Sequence, residues 1–291
     1  MNQGKQATTP LVLSGVEELQ EWVESARLLG HQIGFVPTMG ALHAGHASLI
    51  RAAASACDRV VVSVFVNPTQ FNDAADYAGY PLTPDSDLAL VEFSGGHAVF
   101  MPTVDEMYAG DLGVEAVDFG ALTSGWEAGD RPGHFDGVVA IVDRLFQAVR
   151  PDRAFFGEKD LQQLGVVRTM AAVRYPEVEV VGCPLVRDVD GLALSSRNVR
   201  LSAAARATAH ALPEALHRLK NRLATGGEPM GTLSAVQREL SAVEGVDLVY
   251  LDLVQRDTFS PWEPGVKGPY FAILAATVGG VRLLDNLEVI S

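Results

Sequence analysis

The sequence predicts an α/β protein, with a doubly wound parallel sheet followed by a smaller C-terminal α+β domain. Between residues 33 and 181, apolar runs of strand length alternate with stretches of helical periodicity, as expected when helices cross over between parallel strands. Beyond residue 245 the pattern changes to strand-like runs, and Gly279-Gly280 separates the last two as a hairpin signal. We therefore place the domain boundary near residue 185, between an N-terminal domain (1–185) and a C-terminal domain (186–291).

The N-terminal elements begin with a helix. A capping box at residues 14–17 starts it, apolar residues follow at helical spacing, and Gly30 can close it. A strand at 33–36 leads through a glycine-rich turn into a helix from 46 to about 57. The next run, 59–66, is continuously β-branched, which suits a strand that is buried on both faces. Together these segments predict a strand, helix, strand unit.

The remaining elements continue this pattern. Runs at 88–93 and 97–101 precede a long helix at 135–149, a strand at 154–156, a helix at 160–174 and a strand at 178–181. A loop with a short hairpin is predicted for 184–201, followed by helices at 203–223 and 233–243. Strands are predicted at 246–254, 270–277 and 281–289.

Composition excludes several classes of function. Lys and Arg number 22 against 36 Asp and Glu, so the formal net charge of −14 disfavours nucleic acid and anionic membranes as partners. Cys57 and Cys183 stand far apart without a CxxC pattern, which argues against structural zinc or a disulfide framework. The first ten residues form a polar tail without a secretory apolar run, and no apolar run approaches membrane-spanning length. We expect a soluble, cytoplasmic protein.

The first candidate site is the segment 37–46, which lies between a predicted strand and a helix. Free backbone N–H groups and the helix dipole favour an anion at this position, and Gly40 and Gly45 let a ligand approach the backbone closely. His43 and His46 can donate to phosphate oxygens as charge develops on them. The alternative is a pair of surface histidines at a helix cap.

The second candidate site follows the next predicted strand-to-helix turn, at 156–160. Lys159 can act as a point charge on a phosphate. Asp160 either accepts from ribose hydroxyls or simply caps its helix. Gln163 lies close enough to the turn to reach the same ligand.

Two further segments supply polar side chains. Ser195, Ser196 and Arg197 follow a predicted turn and can hold a triphosphate, although a polar loop that caps the next helix is the alternative. Gln70 follows a buried strand and should face the same crevice, where its amide can bind a hydroxy acid, while the neighbouring Asn67 shapes the turn. His134 is either another donor or a helix-end residue.

Five motifs occur in one order and spacing: PTMGALHAGH, VFVNPTQF, GHFDGV, RPDRAFFGEKDLQQL and DGLALSSRN. With them the chain closely resembles the pantothenate synthetases, the pantoate–β-alanine ligase family of the nucleotidylyltransferase superfamily. The resemblance implies a Rossmann-like N-terminal domain, a C-terminal domain that closes over the site, and a homodimer. It implies that pantoate and ATP form pantoyl adenylate and pyrophosphate, that the β-alanine amine then releases AMP and pantothenate, and that Mg2+ accompanies ATP.

Matching the motifs assigns roles to individual residues. The resemblance places His46 as proton donor with His43 beside it, and adds Lys159 and Arg197 to the catalytic group. Gln70 matches the residue that contacts pantoate and β-alanine, and Gln163 matches the second pantoate ligand. The implied ATP contacts are Met39, Gly40, Ala41, Leu42, His43, Ala44, Gly45, His46, Gly157, Glu158, Lys159, Asp160, Val186, Leu194, Ser195, Ser196 and Arg197.

The chain departs from the family pattern at four positions. Leu82 stands where the family usually has an arginine, and Ala140 where a threonine is common. Arg144 replaces a common lysine and Leu194 a common methionine, which are milder changes. Asp87 remains where a carboxylate close to Mg2+ is expected.

Three hypotheses follow. The first is the family reaction itself. The second is a paralogous ATP-dependent amide ligase for another acid or amine, which Leu82 and Ala140 motivate. The third is a non-catalytic nucleotide-binding protein, against which the intact transition-state donors argue. Nucleotidyl transfer to a phosphate ester is disfavoured, because Gln70 and Gln163 together suit a hydroxy acid better than a phosphate.

Overall fold

The computed structural model describes residues 9–72, 74–108 and 117–290. Within these residues, six parallel strands form one sheet in the order β1-β4-β3-β2-β5-β6. They are β1 (Leu11–Leu13), β2 (Ile33–Thr38), β3 (Arg59–Val64), β4 (Ala98–Phe100), β5 (Arg153–Gly157) and β6 (Glu179–Cys183). The chain adds strands on one side of β2 and then crosses to the other side, so the topological switch lies between β2 and β5. Ligands of such sheets bind at the carboxyl ends of the strands at this point.

Helices cover both faces of this sheet. Its helices are α1 (Val16–Leu28), α2 (Ala44–Ala56), α3 (Ala74–Ala78), α4 (Pro84–Ser94), α5 (Val104–Tyr108), α6 (Glu127–Asp130), α7 (His134–Val149) and α8 (Leu161–Arg174). Phe35 of β2 packs with α1, α7 and α8, whereas the adjacent Val36 packs with α2 and α4. Both side chains are fully buried, which stabilises the fold by about 1.5–3 kcal/mol each. Alternation of apolar side chains toward two cores explains the continuously apolar strands.

The C-terminal part forms a second sheet. Strands β7 (Val246–Gln255), β8 (Tyr270–Val278) and β9 (Val281–Ile290) are antiparallel, and α9 (Ala203–Ala209), α10 (Ala211–Ala224) and α11 (Pro229–Ser241) complete the described elements. Gly279 and Gly280 have φ of 57° and 76°, the values that a tight hairpin turn requires and that glycine adopts without strain.

The C-terminal sheet contacts the helices and the turn that lie beside the switch point. Phe271 and Ile273 of β8 belong to the same apolar cluster as α7 and α8. Arg282 of β9 is paired with the buried Glu127 of α6. The side-chain amide of Asn286 donates to the carbonyl oxygens of residues 158 and 159, at 2.8 and 3.0 Å. The second sheet thereby fixes the turn that follows β5.

The predicted fold class is confirmed, with local differences. The structure adds the short strand β1, which sequence periodicity did not predict. The first helix forms as predicted and Gly30 follows it with φ of 78°. Its cap differs, because Glu18 rather than Glu17 accepts from the Ser14 N–H, and the Val16 N–H donates to Glu106.

The helix predicted for 203–223 is divided, because Pro213 has no N–H to donate to the Ala209 carbonyl. The predicted N-terminal tail falls largely on residues 1–8, which lie outside the described residues. Of the helices that the structure describes, none is long and apolar enough to cross a membrane.

Candidate functional site

An open crevice lies at the carboxyl ends of β2 and β5, beside the switch point. The structure brings together there most of the residues that the motifs predicted. Those lining the crevice are Met39, His43, Gly45, His46, Gln70, Gly157, Lys159, Asp160, Gln163, Val186, Leu194, Ser195, Ser196 and Arg197. The remaining predicted residues, Gly40, Ala41, Leu42, Ala44, Glu158 and Asp87, lie in or beside the same turns but are not among the lining residues.

The two histidines of the first motif form a reciprocal cap at the start of α2. The Gly45 N–H donates to His43 Nδ1, and the His43 N–H donates to His46 Nδ1, both at 3.2 Å. A nitrogen that accepts a hydrogen bond carries no proton, so in each neutral ring the proton is on Nε2. The ring centroids are 4.1 Å apart. The cap that the alternative interpretation invoked is therefore present, and it leaves two adjacent Nε2–H donors at the crevice.

Burial keeps these rings neutral. It lowers the pKa of His46 to about 3, with the neighbouring His43 adding to the effect. Burial and then Lys159 lower the pKa of His43 to about 4. Burial and the adjacent Arg131 likewise lower the pKa of His134 to about 4. At neutral pH the rings are therefore hydrogen-bond donors without charge, and an anion in the crevice would strengthen them as donors.

These pKa values predict how stability depends on pH. Unfolded histidine titrates near 6.5, so between about pH 7 and pH 5 the unfolded chain takes up protons that the folded chain does not. We expect the free energy of unfolding to fall over this window, at most by about 1.4 kcal/mol per pH unit for each such histidine. Urea unfolding at both pH values measures it. His46→Gln should reduce this slope, with His217→Gln, at an exposed position on α10, as the matched control; the same slope in both variants would contradict the assignment.

Asp87 holds the loop that leads to the histidines. Its Oδ2 accepts from the Ala41 N–H at 3.0 Å and its Oδ1 from the Leu42 N–H at 2.7 Å. Ala41 has a positive φ of 49°, and a Cβ on Gly40 would lie 3.1 Å from Asp87 Oδ2, so the turn is tight. Asp87 is 2% exposed. The structure thus gives this carboxylate a loop-positioning role, and its predicted contact with Mg2+ stays a prediction.

Gln70 is positioned by its buried neighbour Asn67, which the sequence predicted only to shape the turn. Asn67 is 1% exposed and donates to both Gln70 Oε1 and the Gly137 carbonyl, at 3.2 and 3.0 Å. The Tyr108 hydroxyl donates to Asn67 Oδ1 at 2.5 Å. A Cβ on Gly137 would lie 2.4 Å from the Thr69 carbonyl oxygen, so glycine is required for this approach. Asn67 therefore connects α7 to the turn that carries Gln70.

His134 lies at the start of α7 and combines both predicted possibilities. It is a helix-end residue that also lines the crevice. Its Nδ1–H donates to the Gln70 carbonyl at 2.8 Å, and the Arg131 guanidinium donates to the same oxygen at 3.1 Å. Both side chains thus hold the backbone of Gln70.

After β5, neighbouring polar residues have different surroundings. Asp160 occupies the cap position of α8, but its side chain makes no capping bond and instead accepts from Lys159 Nζ at 3.3 Å. This geometry favours the ligand-binding interpretation over the cap. Gln162 is buried and bonds to residues 122, 125 and 127, whereas Gln163 lines the crevice. Of the two adjacent glutamines, the predicted one faces the site.

The Ser195–Arg197 motif does not cap the helix that follows it, which was the alternative interpretation. The helix that follows it, α9, is capped by Ser202, whose Oγ accepts from the Ala205 N–H. Ser195 instead caps the short 3₁₀ turn Ser196–Arg200. The Ser196 hydroxyl lies 3.2 Å from the Tyr80 hydroxyl, and Arg197 pairs with Asp76. The motif is thus a separate turn at the edge of the crevice.

Two of the departures from the family pattern are not among the residues that line the crevice. Leu82 is 74% exposed, and neither Leu82 nor Ala140 is among the lining residues. Arg144 lies over the Tyr108 ring, 5.0 Å from its centroid. In the part of the chain that the structure describes, the two positions that motivated a different substrate thus contribute no residue to the crevice lining.

Comparison with known proteins places these features in a family. The family model described as Pantoate-beta-alanine ligase matches residues 11–288. A pantothenate synthetase of Paracoccus denitrificans is 45% identical over 278 residues, covering 96% of this chain and 98% of the relative. The crystal structure of pantothenate synthetase from Thermus thermophilus has a TM-score of 0.89 at 43% identity, covering 97% of this chain and 100% of that one.

A second solved structure contains ligands. It is a pantoate-beta-alanine ligase from Francisella tularensis, described as complexed with beta-gamma ATP and beta-alanine. Its TM-score is 0.81 at 29% identity, and the match covers 96% of this chain and 97% of that one. The similarity thus extends over both sheets.

Proposed function

The chain belongs to the pantoate–β-alanine ligase family and catalyses the ATP-dependent ligation of pantoate to β-alanine, and we propose that the crevice between β2 and β5 is where both steps occur. The observation that carries this proposal is that two sets of side chains meet in one crevice. Phosphate donors from three separate turns line the same crevice as Gln70 and Gln163, which suit a hydroxy acid. A site that combines these two sets can bring a carboxylate against a nucleotide phosphate.

The first step is activation of the acid. A pantoate carboxylate oxygen attacks the α-phosphorus of ATP, the bond to the pyrophosphate oxygen breaks, and pantoyl adenylate forms. Negative charge grows on the phosphate oxygens during this step, so preorganised donors stabilise the transition state more than the ground state. His43 and His46 supply Nε2–H donors, and Lys159 and Arg197 supply positive charge.

The second step is amide formation. The amine of β-alanine attacks the acyl carbon, AMP leaves, and the nitrogen loses a proton. Holding the amine beside the activated carbon supplies much of the rate, because the reaction becomes effectively unimolecular. Gln70 and Gln163 orient pantoate, and Asn67, Arg131 and His134 fix Gln70 itself. Neither step requires a covalent bond to the protein.

We propose that Mg2+ enters with ATP. The described residues contain no group of three or more side chains suited to hold a metal ion, and cations and N–H donors dominate the polar lining of the crevice. This donor set fits an ion held chiefly by the nucleotide phosphates, with Asp160 as the carboxylate that lines the crevice and Asp87 behind the adjacent loop. The ion neutralises phosphate charge when bound.

We propose a domain boundary near residue 185, because the six-stranded sheet ends at Cys183 and the later strands all belong to the second sheet. Met39–His46, Gly157–Asp160, Val186 and Leu194–Arg197 form the ATP site in this proposal. We also propose a homodimer, which the family resemblance supports, and a cytoplasmic location, which the free cysteines Cys57 and Cys183 support.

The assignment of Gln70 to the acid can be tested directly. Gln70→Ala removes hydrogen bonds that exist from binding onward, so we expect the KM for pantoate to rise about 10-fold, which corresponds to about 1.4 kcal/mol, with a smaller change in kcat. AMP release at varied pantoate and saturating ATP measures it. Gln237→Ala removes an amide remote from the crevice and serves as the control. An effect confined to the KM for ATP would contradict the assignment.

A further inference from the structure

Asp76 lies between two arginines of the third motif. This residue belongs to the short helix α3, and its Oδ2 is 2.8 Å from Arg197 Nη2 while its Oδ1 is 2.7 Å from Arg200 Nη1. Arg197 Nε also donates to Asp76 Oδ1, at 3.4 Å. The guanidinium that the proposed function assigns to a nucleotide phosphate is therefore held by a carboxylate of the protein.

The segment around Asp76 is attached to the same turn by a second residue. The Tyr80 ring lies under the Arg197 guanidinium, with Arg197 Cζ 5.7 Å from the ring centroid. The Tyr80 hydroxyl is 3.2 Å from the Ser196 hydroxyl. Tyr80 is 8% exposed and lines the crevice. Asp76 thus reaches Arg197 from a segment that is packed against the site.

A carboxylate and a phosphate present similar oxygen pairs to a guanidinium fork. Burial alone would raise the pKa of Asp76, but its bonds to Arg197 and Arg200 outweigh this effect and hold the pKa below its usual value. Asp76 is therefore ionised at neutral pH. A phosphate that approaches Arg197 must replace a partner that is already charged and well placed.

We propose that Asp76 competes with the nucleotide phosphates for Arg197 and thereby limits the affinity for ATP, while Arg200 retains Asp76 when Arg197 turns to the nucleotide. The inference rests on the proposed role of Arg197. Nucleotide binding requires Arg197 to leave Asp76. The measured Kd is therefore the intrinsic Kd divided by the fraction of molecules in which Arg197 is free. Removing the carboxylate removes this competition.

The test is calorimetric titration of the full chain with a non-hydrolysable ATP analogue, without pantoate. We expect Asp76→Asn to lower the Kd of the analogue about 3- to 10-fold. Asp76→Glu keeps the charge and should bind close to the wild-type affinity. Asp85→Asn removes the same charge from an exposed position in the first turn of α4 and should change the Kd much less.

Two further measurements separate this inference from the proposed function. Arg197→Ala should weaken analogue binding, and Asp76→Asn should have no tightening effect in the Arg197→Ala background. In steady-state assays Asp76→Asn should lower the KM for ATP without raising kcat. Unchanged or weaker binding by Asp76→Asn would overturn the inference while leaving the site intact. If Arg197→Ala itself binds the analogue normally, the proposed role of Arg197 in nucleotide binding is wrong and the inference falls with it.

Discussion

Replacing His46 with alanine is expected to lower the kcat for ATP-dependent AMP release by about 10²- to 10³-fold, the range seen when one preorganised oxyanion donor is removed. The ring is neutral and its Nδ1 accepts from the His43 N–H, so the contribution that we propose for it is an Nε2–H bond to phosphate oxygens whose charge grows in the transition state. Because this bond strengthens as the reaction proceeds, kcat should fall more than the affinity for ATP.

The position of the His46 proton on Nε2 can be tested with two amide variants. His46→Gln can place an amide N–H close to the position of Nε2, whereas His46→Asn places its amide close to that of Nδ1. We therefore expect His46→Gln to retain more activity than His46→Asn, measured as AMP release at saturating substrates. His217→Ala, at an exposed position on α10, is the control and should have wild-type activity. Equal activities of the glutamine and asparagine variants would contradict the assignment of the donor to Nε2.

Local patterns were enough to predict the frame of the fold. The apolar run of β2, the glycine-rich turn after it and the Gly279-Gly280 hairpin each depend on residues that are neighbours in sequence. The three-residue strand β1 was missed because it is too short to show a period, and its stability comes from pairing with β4, 87 residues later. Propensity carries little information about such a segment.

In the candidate site, too, local motifs predicted some residues, whereas residues that act through long-range contacts were not predicted. Motif spacing located His43, His46 and Gln163, because each lies in or close to a turn of recognisable composition that follows a predicted strand. Asp76 was not identified, since its partner Arg197 is 121 residues away and nothing in the local sequence links them. Asn286 was missed for a similar reason, because its amide reaches across from the second sheet to the turn after β5. Long-range side-chain contacts follow from topology and packing, which a single sequence does not display.

Arg187→Ala is expected to have the largest effect on stability among these variants. Arg187 forms two parallel hydrogen bonds to Asp285, both 2.8 Å long, and Asp285 is 4% exposed on β9. Burial raises the pKa of Asp285 even with Arg187 beside it. Removing only the arginine leaves an uncompensated buried carboxylate, which typically destabilises a protein by about 3–5 kcal/mol. Arg187 also donates to the Gly191 carbonyl, so the loop before Leu194–Arg197 loses a support.

Urea unfolding at pH 7 measures this loss, and three comparisons test its cause. Arg206→Ala breaks the more exposed pairs with Asp188 and Asp190 and should cost about 1 kcal/mol or less. The double variant Arg187→Met, Asp285→Leu should recover most of the stability, because it removes both charges. In Arg187→Ala the folded-state pKa of Asp285 is above its unfolded value, so the folded chain binds the extra proton and stability falls as pH rises. The difference from the wild type should therefore be smaller at about pH 4 than at pH 7; a loss no greater than that of Arg206→Ala would show that the carboxylate finds solvent or another partner when Arg187 is absent.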